Sequence, residues 1–399
     1  MRIIFLTTKL NFTTSGGSPV ELDLKVRDMM ANGHTVKVIT LFSSFNDNSL
    51  SLSYPVIEER SAATSVWGIQ SAAFNALRKY ASEADLFHID GHFFLYGAGL
   101  YRRLGGKVPV TAFFNRELTA WSDNVSPFLP GEHRSIWTFL NKKIRFYIEK
   151  YIGTWMANGI DMFAFTNPVL KEAYEDFGLR REDDALIMGD LIDVPNLMRE
   201  HGITATSYRE RNKTNEPLVI FYSARMVAGK GFDILLEAFS MVKNKERYRL
   251  ILGGTGPEKE LLEELVNKLQ IRQHVTFPGW VSKTDVYTFF KKTDIFILPR
   301  WRTELIALVL AEALIFGLPV IVPSGGGLAW RAGDAALDFK DNDHEDLARK
   351  IEQLGNSREL RAELSRKCYE HVTSDVLNHQ KVAAAFSQKA VALVQRLRS

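Results

Sequence analysis

Two glutamates, Glu304 and Glu312, lie eight positions apart and are separated by a wholly apolar segment. The apolar run predicts a buried helix, and Gly317 beyond it predicts the C-terminal cap of that helix. With Glu304 in the preceding loop and Glu312 two turns into the helix, the free N–H groups of the first turn would lie between two carboxylates. Such N–H groups bind a diphosphate, and carboxylates accept hydrogen bonds from sugar hydroxyls. The spacing therefore predicts a nucleotide-sugar site, although a lone acid on an apolar helix is also a common rim residue.

A pair of cations, Arg225 and Lys230, lies five positions apart in a glycine-containing loop after a predicted strand. Arginine donates forked hydrogen bonds and lysine supplies a mobile point charge, so the pair suits one diphosphate. Fixed cations at that position would also stabilise the negative charge that develops on a leaving diphosphate. The alternative is that both are solvated charges in a surface loop.

Two adjacent glycines, Gly16 and Gly17, follow the first predicted strand and precede a predicted helix at Glu21–Asn32. Glycines let a backbone approach a ligand closely, and the start of the helix favours an anion. The segment is not a dinucleotide fingerprint, because no third glycine follows at the required spacing. A tight loop without a ligand explains the same residues.

The elements that must position these residues alternate between short β-branched runs and helix-length amphipathic segments, which predicts a parallel α/β architecture. The strands predicted in the first half are Ile3–Thr7, Val36–Thr40, Leu86–Ile89, Val108–Phe113 and Met162–Phe165. Those predicted in the second half are Leu218–Tyr222, Arg249–Gly253, His274–Phe277, Ile295–Leu298 and Val320–Val322. Each half thus predicts a doubly wound sheet, whose ligands bind at the carboxyl ends of the strands.

The bulk composition fits a soluble globular protein with two domains, since the chain has 399 residues of which 46% are hydrophobic and 24% charged. A net charge of +3 gives no reason to expect nucleic acid as a partner. Cys368 is the single cysteine, which favours a reducing compartment. No uninterrupted apolar stretch reaches the roughly 18 residues needed to span a bilayer. We therefore expect a cytoplasmic protein.

These motifs, in this order, resemble the retaining glycosyltransferases of the GT-B fold, specifically glycosyltransferase family 4. The match covers nearly the whole chain and is densest from Leu218 to Pro323. Its elements are the segments 224–231, 254–257 and 277–279, the Glu304 to Glu312 pair, and the Gly-Leu-Pro-Val-Ile at 317–321. The resemblance implies two Rossmann-like domains facing across a cleft. It also implies a UDP- or GDP-linked sugar as the donor.

The resemblance implies a donor-binding role for several residues of the second half. Arg225 and Lys230 would bind the donor diphosphate, and backbone groups near Leu308 and Val309 would face the phosphates. Glu312 would hold the ribose hydroxyls.

The resemblance also implies roles for residues around the reacting sugar. Glu304 would contact the transferred sugar and, with Arg225 and Lys230, form the catalytic set. Gly16 and Gly17 would line the cleft from the opposite domain.

Two positions depart from the family pattern on the acceptor side. Many members carry a histidine after the fourth strand, where this chain has Phe114 followed by Asn115. The paired-histidine segment of the family is only approximated around His92. Asn115 and His92 are the acceptor-side candidates.

We expect a metal-independent, retaining transferase that moves a hexose from a nucleoside diphosphate sugar to a hydroxyl acceptor. The acceptor class expected is a glycan or lipid-linked glycan of envelope polysaccharide biosynthesis. No Asp-x-Asp pattern sits where a metal-dependent transferase would need one, and no cofactor is expected. Two alternatives stay open: a nucleotide-sugar isomerase of the same fold that uses His88, Asp90 or His92, and a catalytically silent partner subunit.

The polar segment around 196–216 predicts the boundary between two domains. Residues 1–195 form the acceptor-side domain, 196–216 a linker, and 217–374 the donor-binding domain. Residues 375–399 are predicted as a helix that crosses back to the first domain.

One further helix is predicted over 133–156, where apolar residues recur at helical spacing: Trp137, Leu140, Ile144, Ile148, Tyr151 and Trp155. Five basic residues and a single acid, Glu149, are interleaved with them. We interpret it as a core-facing helix with a solvated basic face. The alternative is a basic amphipathic helix that lies on an anionic membrane surface, which would place the protein peripherally at the inner face of the membrane.

Overall fold

A computed structural model of the chain describes residues 1–12, 18–47, 51–115, 143–183, 185–189, 191–210, 217–299 and 307–398. The chain forms two compact units. Unit 1 comprises Met1–Ile192 together with Asp375–Ser399, and unit 2 comprises Asp193–Ser374. Each unit is built on one parallel β-sheet with flanking helices.

Unit 1 contains a seven-stranded sheet in the order β3-β2-β1-β4-β5-β6-β7. Its strands are β1 (Arg2–Thr7), β2 (Thr35–Thr40), β3 (Val56–Glu58), β4 (Leu86–Asp90), β5 (Val110–Phe114), β6 (Met162–Phe165) and β7 (Leu186–Ile187). The central strands are buried on both faces, which is why they read as continuous apolar runs. The strand order reverses between β1 and β4, so the carboxyl ends of these two strands form the topological switch point.

The helices of unit 1 include α1 (Ser18–Ala31), α2 (Val66–Lys79), α3 (Leu95–Arg103), α4 (Thr154–Ala157), α5 (Pro168–Phe177) and the C-terminal α15 (His379–Arg398). Helix α15 packs on α1, where Nδ1 of His379 lies 2.7 Å from Oδ2 of Asp28. Its apolar stripe enters the core of unit 1 through Val382, Phe386, Ala390 and Leu393.

Unit 2 contains a six-stranded sheet in the order β10-β9-β8-β11-β12-β13. Its strands are β8 (Leu218–Ser223), β9 (Tyr248–Gly253), β10 (Val275–Gly279), β11 (Ile295–Ile297), β12 (Val320–Pro323) and β13 (Ala336–Phe339). Its helices are α6 (Val194–His201), α7 (Ser207–Glu210), α8 (Phe232–Met241), α9 (Lys259–Lys268), α10 (Lys283–Lys292), α11 (Leu308–Ile315), α12 (Gly326–Ala332), α13 (His344–Asn356) and α14 (Arg358–Val372). The strand order reverses between the adjacent strands β8 and β11.

The ten predicted strands are confirmed, with ends shifted by at most two residues. Three strands were missed, namely β3, β7 and β13, and each is an edge strand of two to four residues. Such short strands at a sheet edge carry too few apolar residues to give a sequence pattern.

The segment predicted as a linker is not structureless, since α6 and α7 lie in it. Tyr208 is buried, and its hydroxyl donates a hydrogen bond to the carbonyl oxygen of Ile315 in α11. A single aromatic anchor gives no apolar periodicity, so the polar composition alone suggested an exposed connection. Residues 211–216 lie outside the described ranges.

The helix predicted over 133–156 is described only from residue 143 onward. Residues 143–148 are α-helical, Glu149–Gly153 form a π-helical turn, and α4 completes the segment. Ile144, Tyr151 and Trp155 have 49%, 66% and 50% of their surface exposed. The core-facing interpretation of these side chains was therefore wrong.

Small residues instead lie on the buried side of this helix. Gly153 and Ala157 are buried, and α4 packs closely on α3. A Cβ atom placed on Gly99 of α3 would lie 1.9 Å from the carbonyl oxygen of Met156. The two helices meet backbone to backbone, which leaves the large apolar side chains on the outer face. Within the described ranges, no helix has both the length and the apolar character needed to cross a membrane.

Candidate functional site

The loop between β8 and α8 carries Arg225 and Lys230 at the carboxyl edge of the unit 2 sheet. Arg225 is exposed, and its guanidinium has no hydrogen bond or ion pair with any residue that the structure describes. The backbone at Lys230 is anchored, because the hydroxyl of Tyr222 donates a 2.7 Å hydrogen bond to its carbonyl oxygen. The loop therefore presents cationic side chains from a fixed backbone.

Glycines in the neighbouring turn after β9 hold this loop in place. A Cβ atom on Gly254 would lie 1.9 Å from the carbonyl oxygen of Ala224. One on Gly256 would lie 2.1 Å from the carbonyl oxygen of Met226. The Gly-x-Gly-Pro turn is therefore required for close backbone packing against the cation-bearing loop, rather than for flexibility.

Helix α11 begins at the same edge of the sheet, after β11. Leu308 and Val309 occupy its first turn, and Ala307 at its N-cap supplies no side-chain hydrogen bond to that turn. The first-turn N–H groups and the helix dipole favour an anion there. Because β8 and β11 are adjacent and parallel, the predicted diphosphate groups flank one switch point.

Glu312 is the fifth residue of α11, one turn rather than two from the start of the helix. It is only 7% exposed. Burial raises the pKa of its carboxyl group, while the charge of Lys283 and the hydrogen bond from Tyr287 act to lower it. The two neighbours therefore oppose the effect of burial, which remains the larger one and leaves the pKa raised.

These two neighbours were missed by the sequence reasoning. The hydroxyl of Tyr287 donates a 2.9 Å hydrogen bond to Oε1 of Glu312. Nζ of Lys283 lies 3.4 Å from the same oxygen. Lys283 and Tyr287 are four residues apart and therefore share one face of α10. That spacing is visible in the sequence, but it does not indicate which helix the face meets.

Three predicted site residues lie outside the described residues: Glu304, Gly16 and Gly17.

In unit 1 the acceptor-side candidates lie at the carboxyl ends of adjacent strands. His92 follows β4 after Gly91, whose φ of +100° is the left-handed region that favours glycine. Asn115 follows β5, and its Oδ1 would lie 3.6 Å from a Cβ atom on Gly91. The two predicted residues therefore occupy neighbouring turns at the switch-point edge of unit 1.

A buried ion cluster lies at the same edge. Nζ of Lys25 in α1 is 2.9 Å from Oε1 of Glu21 and 3.1 Å from Oδ1 of Asp90 at the end of β4. It also lies 3.3 Å from the ring centroid of Phe113. Burial alone would lower the pKa of Lys25, but the two carboxylates outweigh it and raise the pKa.

Two residues singled out from the sequence are parts of the core instead. Phe114 is fully buried, with its ring 4.7 Å from that of Phe165 and 4.6 Å from that of Tyr174. It does not occupy a ligand site, and Asn115 is the side chain that the end of β5 offers there. His88 is buried and Nδ1 hydrogen-bonds the hydroxyl of Thr111 at 2.8 Å, and burial holds its pKa well below the usual range.

Within the described ranges, no three His, Cys, Asp or Glu side chains form a group that could hold a metal ion. The edge of unit 2 offers cations, helix N–H groups and a buried carboxylate. These groups suit a ligand that carries both a diphosphate and vicinal hydroxyls.

Comparison with known proteins gives a consistent picture. Residues 205–371 match the family model of the glycosyl transferases group 1. The chain is 29% identical over 218 residues to the mannosylfructose-phosphate synthase of Agrobacterium fabrum, covering 52% of this chain and 47% of that protein. It is 26% identical over 250 residues to the lipopolysaccharide core biosynthesis glycosyltransferase LpsD of Rhizobium meliloti, covering 62% of this chain and 67% of that protein.

The alignments to several of these curated relatives cover about half of the relative or less. Solved structures match over a greater length. The sucrose-phosphate synthase of Thermosynechococcus elongatus superposes with a TM-score of 0.74 at 16% identity, covering 99% of this chain and 100% of that one. At that identity the likeness concerns the fold.

Proposed function

We propose that this chain, which has the GT-B fold and whose residues 205–371 match the glycosyl transferases group 1 model, is a hexosyltransferase of that family. The donor is a nucleoside diphosphate sugar, UDP- or GDP-linked. The acceptor is a hydroxyl group of a glycan or lipid-linked glycan in polysaccharide or glycolipid biosynthesis. The reaction proceeds with retention and without a metal ion.

The observation that carries this proposal is the composition of the unit 2 switch point. The loop after β8 supplies Arg225 and Lys230, and the first turn of α11 supplies the N–H groups of Leu308 and Val309. Both features attract a diphosphate. Glu312 lies one turn further along the same helix and supplies a buried carboxylate. One edge of the unit 2 sheet thus carries cations and helix N–H groups that suit a diphosphate, and a carboxylate that suits a diol.

In the proposed reaction, the bond between the anomeric carbon and the diphosphate oxygen breaks while a bond to the acceptor oxygen forms. Negative charge develops on the leaving diphosphate, where Arg225 and Lys230 stabilise it electrostatically. The acceptor hydroxyl loses its proton to the leaving phosphate on the same face of the sugar, which gives retention. The cations do the work that a divalent ion does in other transferases.

The remaining roles follow from the family resemblance. Glu312 accepts hydrogen bonds from the ribose hydroxyls, and Glu304 contacts the transferred sugar. Gly16 and Gly17, which follow β1 in the sequence, permit a close approach of the backbone to the ligand. Asn115 and His92 serve the acceptor side of unit 1.

Two of the three acid–base groups of the isomerase alternative are enclosed, whereas the third, His92, lies at the switch-point edge of unit 1. His88 is buried in the core of unit 1, and Asp90 is held in the ion cluster with Lys25. A general acid or base must reach a substrate proton, which neither arrangement favours. The silent-subunit alternative predicts donor binding without turnover.

We further propose that the exposed face of residues 143–157 contacts an anionic membrane surface, where lipid-linked acceptors reside. This outer face consists of Ile144, Tyr147, Tyr151, Ile152 and Trp155, all about half exposed or more. Basic side chains flank it at 143, 145 and 150. An apolar aromatic stripe between cations is the pattern of helices that lie in the bilayer interface.

The donor proposal is tested by the thermal stability of the purified protein with UDP-, GDP- and ADP-sugars. A ligand that binds only the folded state raises the melting temperature. We expect one nucleotide to do so, and Arg225→Ala to weaken its affinity by about tenfold or more. Lys268→Ala, an exposed cation on α9, is the matched control. A full shift that persists in both Arg225→Ala and Glu312→Ala would remove this donor site from consideration.

A further inference from the structure

One oxygen of Glu312 is already engaged within unit 2. Both the Tyr287 hydroxyl, at 2.9 Å, and Nζ of Lys283, at 3.4 Å, approach Oε1. Its other oxygen, Oε2, makes no hydrogen bond or ion pair with the residues that the structure describes. The carboxylate therefore has one restrained oxygen and one that remains available to a ligand.

Tyr287 is itself held firmly. Its ring stacks on Phe316 with centroids 5.4 Å apart and an angle of 14°. The ring of His201 in α6 meets it at 4.7 Å, and Tyr287 is 7% exposed. A phenol packed in this way has little rotational freedom, so the hydroxyl fixes the position of the carboxylate rather than following it.

Lys283 differs from Tyr287 because its side chain is 62% exposed. Its Nζ lies 5.9 Å from the ring centroid of Tyr287, so the cation, the ring and the carboxylate are close together. An exposed ammonium group at 3.4 Å contributes charge with little geometric restraint. The two residues thus have different effects. Tyr287 sets the position of the Glu312 carboxylate, and Lys283 favours the ionised form of that carboxylate.

We propose that Tyr287 and Lys283 form a positioning pair that presents Oε2 of Glu312, ionised and at a fixed place, to the vicinal hydroxyls of the nucleoside ribose. The inference rests on the proposed function, because it assigns a task within the same donor site. Tyr287 acts through Glu312 and does not contact the donor. The pair gives this chain a way to keep a buried carboxylate charged.

Further titratable groups of the described residues also face the pair. Glu200 and His201 lie on α6, beside the ring of Tyr287, and Lys291 lies further along α10. Burial lowers the pKa of His201, with Lys291 acting in the same direction and Glu200 opposing. His201→Ala therefore serves as a check that a pH effect originates at Glu312.

The experiment measures the affinity of UDP and GDP by calorimetry between pH 5 and 8.5. We expect Tyr287→Phe to weaken binding about tenfold at neutral pH, because the ring and its packing stay while one hydrogen bond to a carboxylate is lost. The pH at which affinity falls on acidification should also move upward, since the hydrogen bond favours the ionised carboxylate. A purely structural role for the hydroxyl would leave that pH unchanged.

Lys283 provides a second variant that is independent of core packing. Lys283→Met should raise the same pH midpoint, and Lys283→Arg should restore it because the charge returns. Thr288→Val removes an exposed hydroxyl from the same helix and is the control for both. If Tyr287→Phe folds poorly, Lys283→Met and Lys283→Arg are sufficient to test the proposal.

The results separate this inference from the proposed function. Wild-type affinity and pH midpoint in Tyr287→Phe and Lys283→Met, with binding lost in Glu312→Ala, would overturn the positioning pair and leave the donor site standing. Unchanged binding in Glu312→Ala would instead overturn the assignment of the ribose contact. If the wild-type protein binds neither UDP nor GDP, both fail, because the carboxylate then has no such ligand to hold.

Discussion

Nζ of Lys25 lies 3.1 Å from Oδ1 of Asp90, and both side chains are almost completely buried. The contact joins α1, which follows Gly16 and Gly17 in the sequence, to the end of β4. Glu21, one turn before Lys25, completes the cluster. Buried charge, and not apolar packing alone, thus fixes α1 against the strand end at the switch point of unit 1.

Lys25→Met should destabilise unit 1 by about 3–5 kcal/mol, because it leaves two buried carboxylates without their cation. Chemical denaturation followed by circular dichroism measures the change. Lys37→Met is the control, since its ion pair with Glu83 is well exposed and such pairs contribute about 0–1 kcal/mol. Equal stability of the two variants would mean that the buried ion cluster makes no net contribution to the free energy of unfolding.

Glu312→Gln should stabilise the ligand-free protein at neutral pH. The pKa of Glu312 is raised in the folded state, so the stability linked to this group is present below the unfolded pKa of about 4.3 and lost as the pH rises through the folded value. Glutamine cannot ionise, so the Glu312→Gln variant should melt about 2–4 °C higher than the wild type at pH 7. That shift corresponds to a change of about 1 kcal/mol in the free energy of unfolding.

Melting curves from pH 4 to 8 test this prediction, and the difference between Glu312→Gln and the wild type should shrink toward pH 4. Glu363→Gln, on an exposed position of α14, is the control and should show no such trend. A lower melting temperature for Glu312→Gln at pH 7 would show that the contacts of the carboxylate outweigh its burial.

Gly99→Ala should destabilise the protein by about 1–3 kcal/mol even though alanine favours helices. The new Cβ would meet the carbonyl oxygen of Met156 at 1.9 Å, and neither backbone can move without parting α3 from α4. Thermal or chemical unfolding measures the effect. Leu104→Ala, exposed directly after α3, should be neutral, and a neutral Gly99→Ala would contradict the backbone-to-backbone packing.

The double variant Tyr151→Ser, Trp155→Ser should lose binding to vesicles of phosphatidylglycerol and phosphatidylcholine, because it removes much of the exposed apolar face of residues 143–157. Flotation of the protein with the vesicles gives the measurement, and vesicles of phosphatidylcholine alone should bind weakly. Trp280→Ser removes an even more exposed aromatic from unit 2 and should bind as the wild type does. Retained binding by the double variant would exclude this face as the contact.

Most of the fold was predictable because buried parallel strands are continuous apolar runs. The ten predicted strands follow from that rule, whereas edge strands such as β7 (Leu186–Ile187) do not, since pairing with one neighbour requires few apolar residues. The switch-point loop with Arg225 and Lys230 was predictable for the same reason, because it directly follows a strand. Phe114 shows the limit, since its position next to a strand end suggested a site but its side chain enters the core.

The sequence by itself determined which residues stand at strand ends and helix starts, because these depend on local periodicity and on glycine. It placed Glu312 on a buried helix through the apolar run around it. Only the tertiary structure decided that Tyr287, 25 positions earlier, reaches that carboxylate, since the packing of α10 beside α11 depends on contacts distant in the chain. The same holds for Trp155, where periodicity indicates an apolar face and the close packing of α4 on α3 leaves that face uncovered.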